Sequence, residues 1–122
     1  METEPMSVTI IQQLETIIAS RRDAGAIAEK SYVASLLQKG LPKIGAKITE
    51  EAAEVVEAAG EQGPDGRDHL VREVADLLFH TLVLLGHARV GFNEVEAELG
   101  RRFGVSGHDE KAARQGPKKP ND

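Results

Sequence analysis

Apolar residues recur along most of the chain at intervals of three and four, the spacing of amphipathic helices. The first such run has apolar residues at positions 10, 11, 14, 17 and 18, with Ser7 as a candidate N-cap and Gly25 as a break. A short second helix is expected between the cap Ser31 and Gly40. No segment requires a strand, so the pattern predicts an all-α protein.

Pro42 suits the first turn of a third helix, which is expected to run to about Ala59. The stretch GEQGPDGRD that follows contains three glycines and a proline and is predicted to be a turn. Asp65 or Asp68 would then cap the fourth helix.

The fourth helix is expected to end near Val90, with Gly91 closing it, and Asn93 would cap a short fifth helix. Apolar residues cover most of the circumference of the fourth helix, as in helices buried within a bundle or between subunits. The pattern therefore predicts a helical bundle of about four to five helices that is completed by homodimerisation.

Composition agrees with this fold class and narrows the functions. The chain has 122 residues, of which 40% are hydrophobic and 29% charged, as in a soluble globular domain. Residues 1–6 are expected to form a flexible leader, residues 7–114 the domain, and residues 115–122 a disordered tail. The formal charge of −5 argues against nucleic-acid binding. No apolar run is long enough for a membrane span and no signal-peptide pattern is present, so a cytoplasmic protein is expected.

The absence of cysteine excludes disulfides, a thiolate zinc site and a cysteine nucleophile. Candidate chemistry comes instead from carboxylates on the third helix. A helical wheel places Glu50 and Glu57 toward solvent, but it places Glu51 about 20° from Ile44, inside the stripe predicted to be buried. Glu54 and Lys47 lie at the edge of that stripe, whose other apolar members are Leu41, Ile48, Ala52, Val55 and Ala59.

A narrow polar stripe on the otherwise apolar fourth helix contains Glu73, Asp76, His80 and His87. If the two helices form an antiparallel hairpin, Glu54 lies level with Glu73, and Glu51 lies level with Asp76. Four carboxylates are therefore expected to converge.

Such convergence is unfavourable by itself, since two like charges about 4 Å apart cost on the order of 4 kcal/mol at an effective dielectric of 20. Raised pKa values would relieve it, but Mg²⁺ would relieve it better because that ion prefers oxygen ligands. A solvated acidic face is the alternative, and it is the preferred interpretation of Glu50 and Glu57. If Glu51 belongs to the cluster, Glu51→Gln should stabilise the metal-free protein.

Three other polar side chains lie near these carboxylates. Lys43 and Lys47 could bind phosphate, while the alternative for Lys47 is an ion pair with Glu51 or Glu54. His80 is expected to be a hydrogen-bonded structural residue rather than a metal ligand.

The pattern Glu50-Glu51-x-x-Glu54 followed by Glu73-x-x-Asp76 resembles the all-α MazG-like nucleotide pyrophosphohydrolases. Three longer blocks are similar to the phosphoribosyl-ATP pyrophosphatase family: SYVASLLQKGLPKIGAKITEEAAEVVEAA, HLVREVADLLFHTLVLL and GRRFGVSGHDEKAAR. The resemblance spans about residues 9–114.

The resemblance implies an Mg²⁺-dependent homodimer that hydrolyses phosphoribosyl-ATP to phosphoribosyl-AMP and pyrophosphate, the second step of histidine biosynthesis. It implies that the metal ligands are Glu51, Glu54, Glu73 and Asp76. It also favours closure of the segment that holds Lys111 and Arg114 over substrate phosphates, rather than a solvated tail. The cyclohydrolase fused to this domain in many organisms uses cysteine and zinc, so here a separate cyclohydrolase is expected to act on the product.

Several alternatives stay open at this level. Glu50 and Glu51 are both candidates for the catalytic base that takes a proton from water. The substrate could instead be a (deoxy)nucleoside triphosphate, because the carboxylates handle pyrophosphate rather than base or sugar. A non-catalytic helical dimerisation module would need no metal. A di-iron bundle is excluded because it requires Glu-x-x-His motifs, which the chain lacks.

Overall fold

The computed structural model describes residues 8–24 and 31–104, and within these ranges every regular element is a helix. The helices are α1 (Ile10–Ala24), α2 (Tyr32–Lys39), α3 (Leu41–Ala59), α4 (Gly63–Ala88) and α5 (Phe92–Phe103). The predicted all-α class is therefore confirmed. The expected leader, the tail, Ser7 and Gly25 lie outside the described residues.

The predicted boundaries of α2 and the start of α3 are confirmed, because their capping residues act as expected. The Ser31 hydroxyl accepts a hydrogen bond from the backbone N–H of Ala34 at 3.2 Å and thereby caps α2. Gly40 ends α2 with φ of 78°, a left-handed value that glycine adopts without a side-chain clash. Pro42 lies in the first turn of α3, where its missing N–H costs no helical hydrogen bond.

The turn between α3 and α4 is shorter than predicted. Gln62 is the N-cap of α4, and the helix already begins at Gly63, so neither Asp65 nor Asp68 is its cap. Pro64 favours this early start because its fixed φ suits the first helical turn, and a carboxylate at Asp65 interacts favourably with the helix N-terminus. Gly63, Pro64 and Asp65 were predicted to lie in the turn, but they form the first turn of α4.

The junction between α4 and α5 also differs from the prediction. Arg89, with φ of 61° and ψ of 41°, ends α4 in the left-handed conformation that was expected of Gly91. Gly91 is instead the N-cap of α5, and Asn93 is already helical. The Glu94 carboxylate accepts the Gly91 N–H at 3.1 Å, so a capping interaction from within the helix selects the earlier start.

The described residues divide into two compact units, one that ends at Arg89 and one that begins at Val90. In the first unit, α3 and α4 form an extensively packed hairpin, α1 packs on α4 and α2, and α2 also contacts α3 and α4. Its most deeply buried large side chains are Ile18, Leu36, Ile44, Leu82 and Val83. In the second unit, Glu98 accepts hydrogen bonds from Arg101 and Arg102, which lower the pKa of its carboxyl to about 2.

The buried line of α3 is narrower than the wheel predicted. The buried residues of α3 are seven apart: Ile44, Glu51 and Ala58. Leu41, Ala52 and Ala59 were predicted to share this face, but they are exposed. The contacts of α3 with α4 and α2 bury a single seam, and these three side chains on its flanks lie outside that seam. The placement of Glu51 within the buried line is confirmed.

The hairpin carries exposed apolar side chains despite its packing. Val56 on α3 is 74% exposed, and Val71 and Val74 on α4 are 63% and 44% exposed. Among the described helices, none is by itself long and apolar enough to cross a membrane, although α4 and α5 taken together meet the length and composition criteria.

Candidate active site

Three of the four predicted carboxylates, Glu51, Glu54 and Glu73, take part in two contacts across the α3–α4 hairpin, which lie one helical turn apart on α3. We call the contact between Glu51 and His80 the histidine layer and the contact between Glu54 and Glu73 the carboxylate layer. Each layer joins α3 to α4, so the packing of the hairpin positions both.

The histidine layer is buried and completely hydrogen-bonded at the imidazole ring. Glu51 and His80 are only 6% and 5% exposed. His80 Nδ1 lies 2.6 Å from Oε1 of Glu51 and 3.0 Å from the backbone carbonyl oxygen of Asp76. His80 Nε2 lies 2.8 Å from the hydroxyl of Tyr32 at the start of α2. The expected hydrogen bonding of His80 is confirmed.

Aromatic rings pack around this layer. Phe79 and His80 meet edge to face with ring centroids 4.9 Å apart, and Tyr32 stacks on Phe79 at 6.2 Å. Sequence reasoning missed Tyr32, because it lies 48 residues from His80 and no local pattern connects the two. Three helices therefore supply one polar chain.

The carboxylate layer joins two groups of the same charge. The Glu54 carboxyl lies within hydrogen-bonding reach of the Glu73 carboxyl, and this contact, followed by burial and the negative charge of Glu73, raises the pKa of Glu54. The hairpin alignment predicted this pair. Glu73 is largely buried, and its Oε1 finds no N–H or O–H donor among the described residues. A shared proton or a bound cation would satisfy such a pair.

His69 holds the other oxygen of Glu73. Its Nε2 lies 3.2 Å from Glu73 Oε2, and its Nδ1 lies 3.1 Å from both carboxylate oxygens of Glu61. The hydrogen bond to Glu61, with the negative charges of Glu61 and Glu73, raises the pKa of His69. Sequence reasoning missed this residue, although its spacing of four from Glu73 on one helix was an available signal.

The other predicted ligand on α4 lies apart from these contacts. Asp76 should face Glu51 in the predicted alignment, but its side chain is exposed and makes no hydrogen bond or ion pair with a described residue. Glu51 instead meets His80, one turn further along α4. The side chain of Asp76 is on the hairpin but outside both layers.

Among the remaining candidates, Glu50 and Lys47 form an ion pair with the Lys47 nitrogen 3.5 Å from the Glu50 carboxylate. The negative charge of Glu50 is the largest influence that raises the pKa of Lys47. An ion pair with Glu51 or Glu54 was the alternative to phosphate binding for Lys47, and the structure instead pairs Lys47 with Glu50, three residues further along α3. Lys43 is exposed. Lys111 and Arg114 lie outside the described residues.

The two carboxylates of the carboxylate layer fit Mg²⁺ as donors. No group of three or more His, Asp or Glu side chains in residues 8–24 and 31–104 is spaced to ligate a metal by itself. Mg²⁺ keeps several waters and is commonly held by one or two carboxylates together with substrate phosphates. The carboxylate layer provides two carboxylates from different helices, one of which has a buried oxygen without a donor.

Comparison with known proteins gives a consistent result. A family model described as phosphoribosyl-ATP pyrophosphohydrolase matches residues 11–103. The phosphoribosyl-ATP pyrophosphatase of Geobacter sulfurreducens is 52% identical over 105 residues, which cover 86% of this chain and 93% of that protein. The proteins of the same name from Hydrogenovibrio crunogenus and Erythrobacter litoralis are 49% and 53% identical and cover 89% and 85% of this chain, with 96% and 95% of their own lengths matched.

The matched region contains both layers of the hairpin and the helices that support them. The identity extends over nearly the full length of these relatives rather than over a short motif. The chain therefore belongs to the phosphoribosyl-ATP pyrophosphohydrolase family.

Proposed function

We propose that the chain hydrolyses phosphoribosyl-ATP to phosphoribosyl-AMP and pyrophosphate in histidine biosynthesis, and that it requires Mg²⁺. The observation that carries the proposal is the identity of about half of all positions with phosphoribosyl-ATP pyrophosphatases over nearly their whole length. The carboxylate layer supports it chemically, because cleavage of a triphosphate needs a place where negative charge can be neutralised.

The residues that would hold Mg²⁺ are Glu54 and Glu73, joined by Glu51 and Asp76 from the same hairpin. Glu73 is the best placed of them, since its Oε1 is buried and has no donor from the described residues. When bound, Mg²⁺ supplies neutralisation of the phosphoryl oxygens and activation of the attacking water.

Two carboxylates of α3 can take the proton from that water. Glu50 is exposed beside Lys47, and Glu51 is buried with one oxygen bonded to His80. They precede Glu54 by four and three residues, about one turn of α3, so both lie near a substrate bound at the carboxylate layer. Lys43 and Lys47 on the same helix, with Lys111 and Arg114 from the C-terminal segment, provide positive charge for the substrate phosphates.

The test of the function is a product assay. The purified protein is incubated with phosphoribosyl-ATP, and separately with a panel of nucleoside and deoxynucleoside triphosphates, with Mg²⁺ and after exhaustive chelation. We expect pyrophosphate from phosphoribosyl-ATP only when Mg²⁺ is present. Preference for a simple nucleoside triphosphate would replace the proposed substrate. Full activity after chelation, or orthophosphate as the primary product, would reject the proposed chemistry, and no activity on any substrate would favour a dimerisation module.

A homodimer is part of the proposal. The apolar side chains of Val56, Val71 and Val74 are exposed on the hairpin, and their burial against a second copy would be favourable. Such a dimer would also bring the second copy beside the site-bearing helices. We expect the wild type to sediment as a dimer at micromolar concentration and the double variant Val71→Glu/Val74→Glu to sediment as a monomer, while Gln38→Glu on α2 serves as the control. A wild-type monomer that stays active at nanomolar concentration would refute the dimer.

The reaction belongs to the cytoplasm in this proposal, and the phosphoribosyl-AMP produced passes to a separate cyclohydrolase. A mixture of the two enzymes that fails to consume phosphoribosyl-AMP would reject that sequence of steps.

A further inference from the structure

His80 is the central member of a polar chain that runs from α2 through α4 to α3. Its ring is buried, and both nitrogens have partners: Glu51 and the Asp76 carbonyl on one side, and the Tyr32 hydroxyl on the other. The neighbouring Glu51 is buried as well. Buried polar groups of this kind are oriented strongly, because any other rotamer would leave a polar atom without a partner.

The partners determine where the ring carries its proton. Nδ1 faces two acceptors, a carboxylate oxygen and a backbone carbonyl oxygen, so Nδ1 must be the donor. In the neutral ring Nε2 is then an acceptor, and the Tyr32 hydroxyl donates to it at 2.8 Å. The direction of each hydrogen bond follows: Tyr32 donates to His80, and His80 donates to Glu51.

The two carboxylate oxygens of Glu51 differ in their hydrogen bonding within this polar chain of Tyr32, His80 and Glu51. Oε1 accepts the Nδ1–H of His80 at 2.6 Å, whereas Oε2 accepts no hydrogen bond from the described part of the chain. Glu51 lies three residues before Glu54 on α3, so its carboxylate is one helical turn from the carboxylate layer. A carboxylate held by one oxygen therefore lies within electrostatic reach of the place where a cation would sit.

Stability alone does not explain the pair. Replacement of both partners of a buried hydrogen bond by apolar residues of the same shape can be nearly neutral or stabilising, so a core needs no glutamate at this position. Ligands of metal ions, by contrast, are commonly oriented by a hydrogen bond from a neighbouring residue.

We propose that His80, itself held by Tyr32, is a positioning residue that fixes Oε1 of Glu51 and so presents Oε2 to Mg²⁺ or to the attacking water. The proposal rests on the proposed function. His80 touches neither substrate nor metal in this arrangement, and it acts through the orientation of Glu51.

Two amide variants separate positioning from simple packing. In His80→Asn the amide nitrogen takes roughly the place of Nδ1 and can still donate to Glu51. In His80→Gln the amide lies near the place of Nε2, so the contact with Tyr32 is kept and the donor to Glu51 is lost. Tyr32→Phe removes only the hydroxyl, and His87→Gln changes an exposed histidine two turns further along α4 as a control.

The measurements are Mg²⁺ affinity by titration calorimetry on protein shown to be folded by circular dichroism, and kcat and KM with phosphoribosyl-ATP. We expect His80→Gln to weaken Mg²⁺ binding and to lower kcat by about 10- to 100-fold, the usual effect of losing such an orienting partner. His80→Asn should stay within about threefold of wild type, Tyr32→Phe should fall between the two, and His87→Gln should match wild type.

Equal losses in folded His80→Asn and His80→Gln would overturn the proposal, as would a folded His80→Gln with wild-type Mg²⁺ affinity and kcat. A lower melting temperature in His80→Gln with unchanged affinity and kcat would show a role in packing alone and would also overturn it. A wild type that binds Mg²⁺ but does not hydrolyse phosphoribosyl-ATP would reject the proposed function, and the order of Mg²⁺ affinities among the variants would still decide the role of His80.

Discussion

The two layers of the α3–α4 hairpin use the same kind of residue from α3 in opposite ways. In the histidine layer, the Glu51 carboxylate meets a hydrogen-bond donor, and both partners are at least nine-tenths buried. In the carboxylate layer, Glu54 meets a second carboxyl group, and Glu73 has a buried oxygen without a donor. The layers are only three residues apart on α3, so the difference arises from what α4 presents to each.

The comparison shows which of the clustered carboxylates destabilise the metal-free protein. A buried carboxylate that receives a charge-assisted hydrogen bond is stabilised, whereas a pair of carboxylates requires a proton or a cation. The sequence led us to expect that Glu51 is the destabilising member of the cluster. In the structure Glu51 has His80 as its partner, so the destabilising contact is instead expected in the carboxylate layer.

The largest expected effect is on turnover. Glu54→Gln and Glu73→Gln each remove one charge from the carboxylate layer, so Mg²⁺ binding and hydrolysis of phosphoribosyl-ATP should both fall, with kcat lower by about two orders of magnitude. Steady-state kinetics with calorimetric Mg²⁺ titration measures this. If both variants had wild-type kinetics, the carboxylate layer would not be part of the active site.

A smaller effect, of opposite sign in the two layers, is expected on the stability of the metal-free protein. Glu73→Gln relieves a like-charge contact and should raise the melting temperature in EDTA by a few degrees. Glu51→Gln weakens a charge-assisted hydrogen bond and should lower the free energy of unfolding by about 1 kcal/mol. Thermal and urea unfolding of both variants provide the test.

The matched control for stability is Glu57→Gln, an exposed position one turn beyond Glu54 on α3, where a change within about 0.5 kcal/mol is expected. If Glu51→Gln and Glu73→Gln shift stability in the same direction, the distinction between the layers is wrong.

The smallest effect is on the pH dependence of stability. Because the pKa of Glu54 is raised above its ordinary value of 4.5, the folded protein holds a proton that the unfolded chain has already lost. Metal-free stability should therefore decrease as the pH rises from about 4.5 through the higher pKa of the folded state. Glu54→Gln should lack this decrease, and Glu57→Gln should retain it. Urea unfolding in EDTA between about pH 4.5 and 6 measures the difference, below the range in which the raised pKa of His69 acts. Equal slopes in wild type and Glu54→Gln would contradict the prediction.

Helical periodicity was sufficient to predict the all-α class, and capping residues were sufficient for α2 and for the start of α3. The boundaries that failed, at Gly63 and Gly91, depend on competition between neighbouring glycine, proline and acidic residues for the same helix end. Neighbouring residues at such positions are similar in energy as helix ends, so the surrounding contacts decide at which residue the helix begins or ends.

The sequence by itself determined that Glu51 lies on a buried line of α3 and that Glu54 pairs with Glu73, because both follow from helical geometry and a hairpin alignment. Only the tertiary structure decided that Glu51 meets His80 rather than Asp76, and that Tyr32 completes the chain from 48 residues away. Periodicity specifies the direction of a side chain from its own helix. The rotation and offset of one helix against another depend on packing among all of them, and they determine which side chains finally meet.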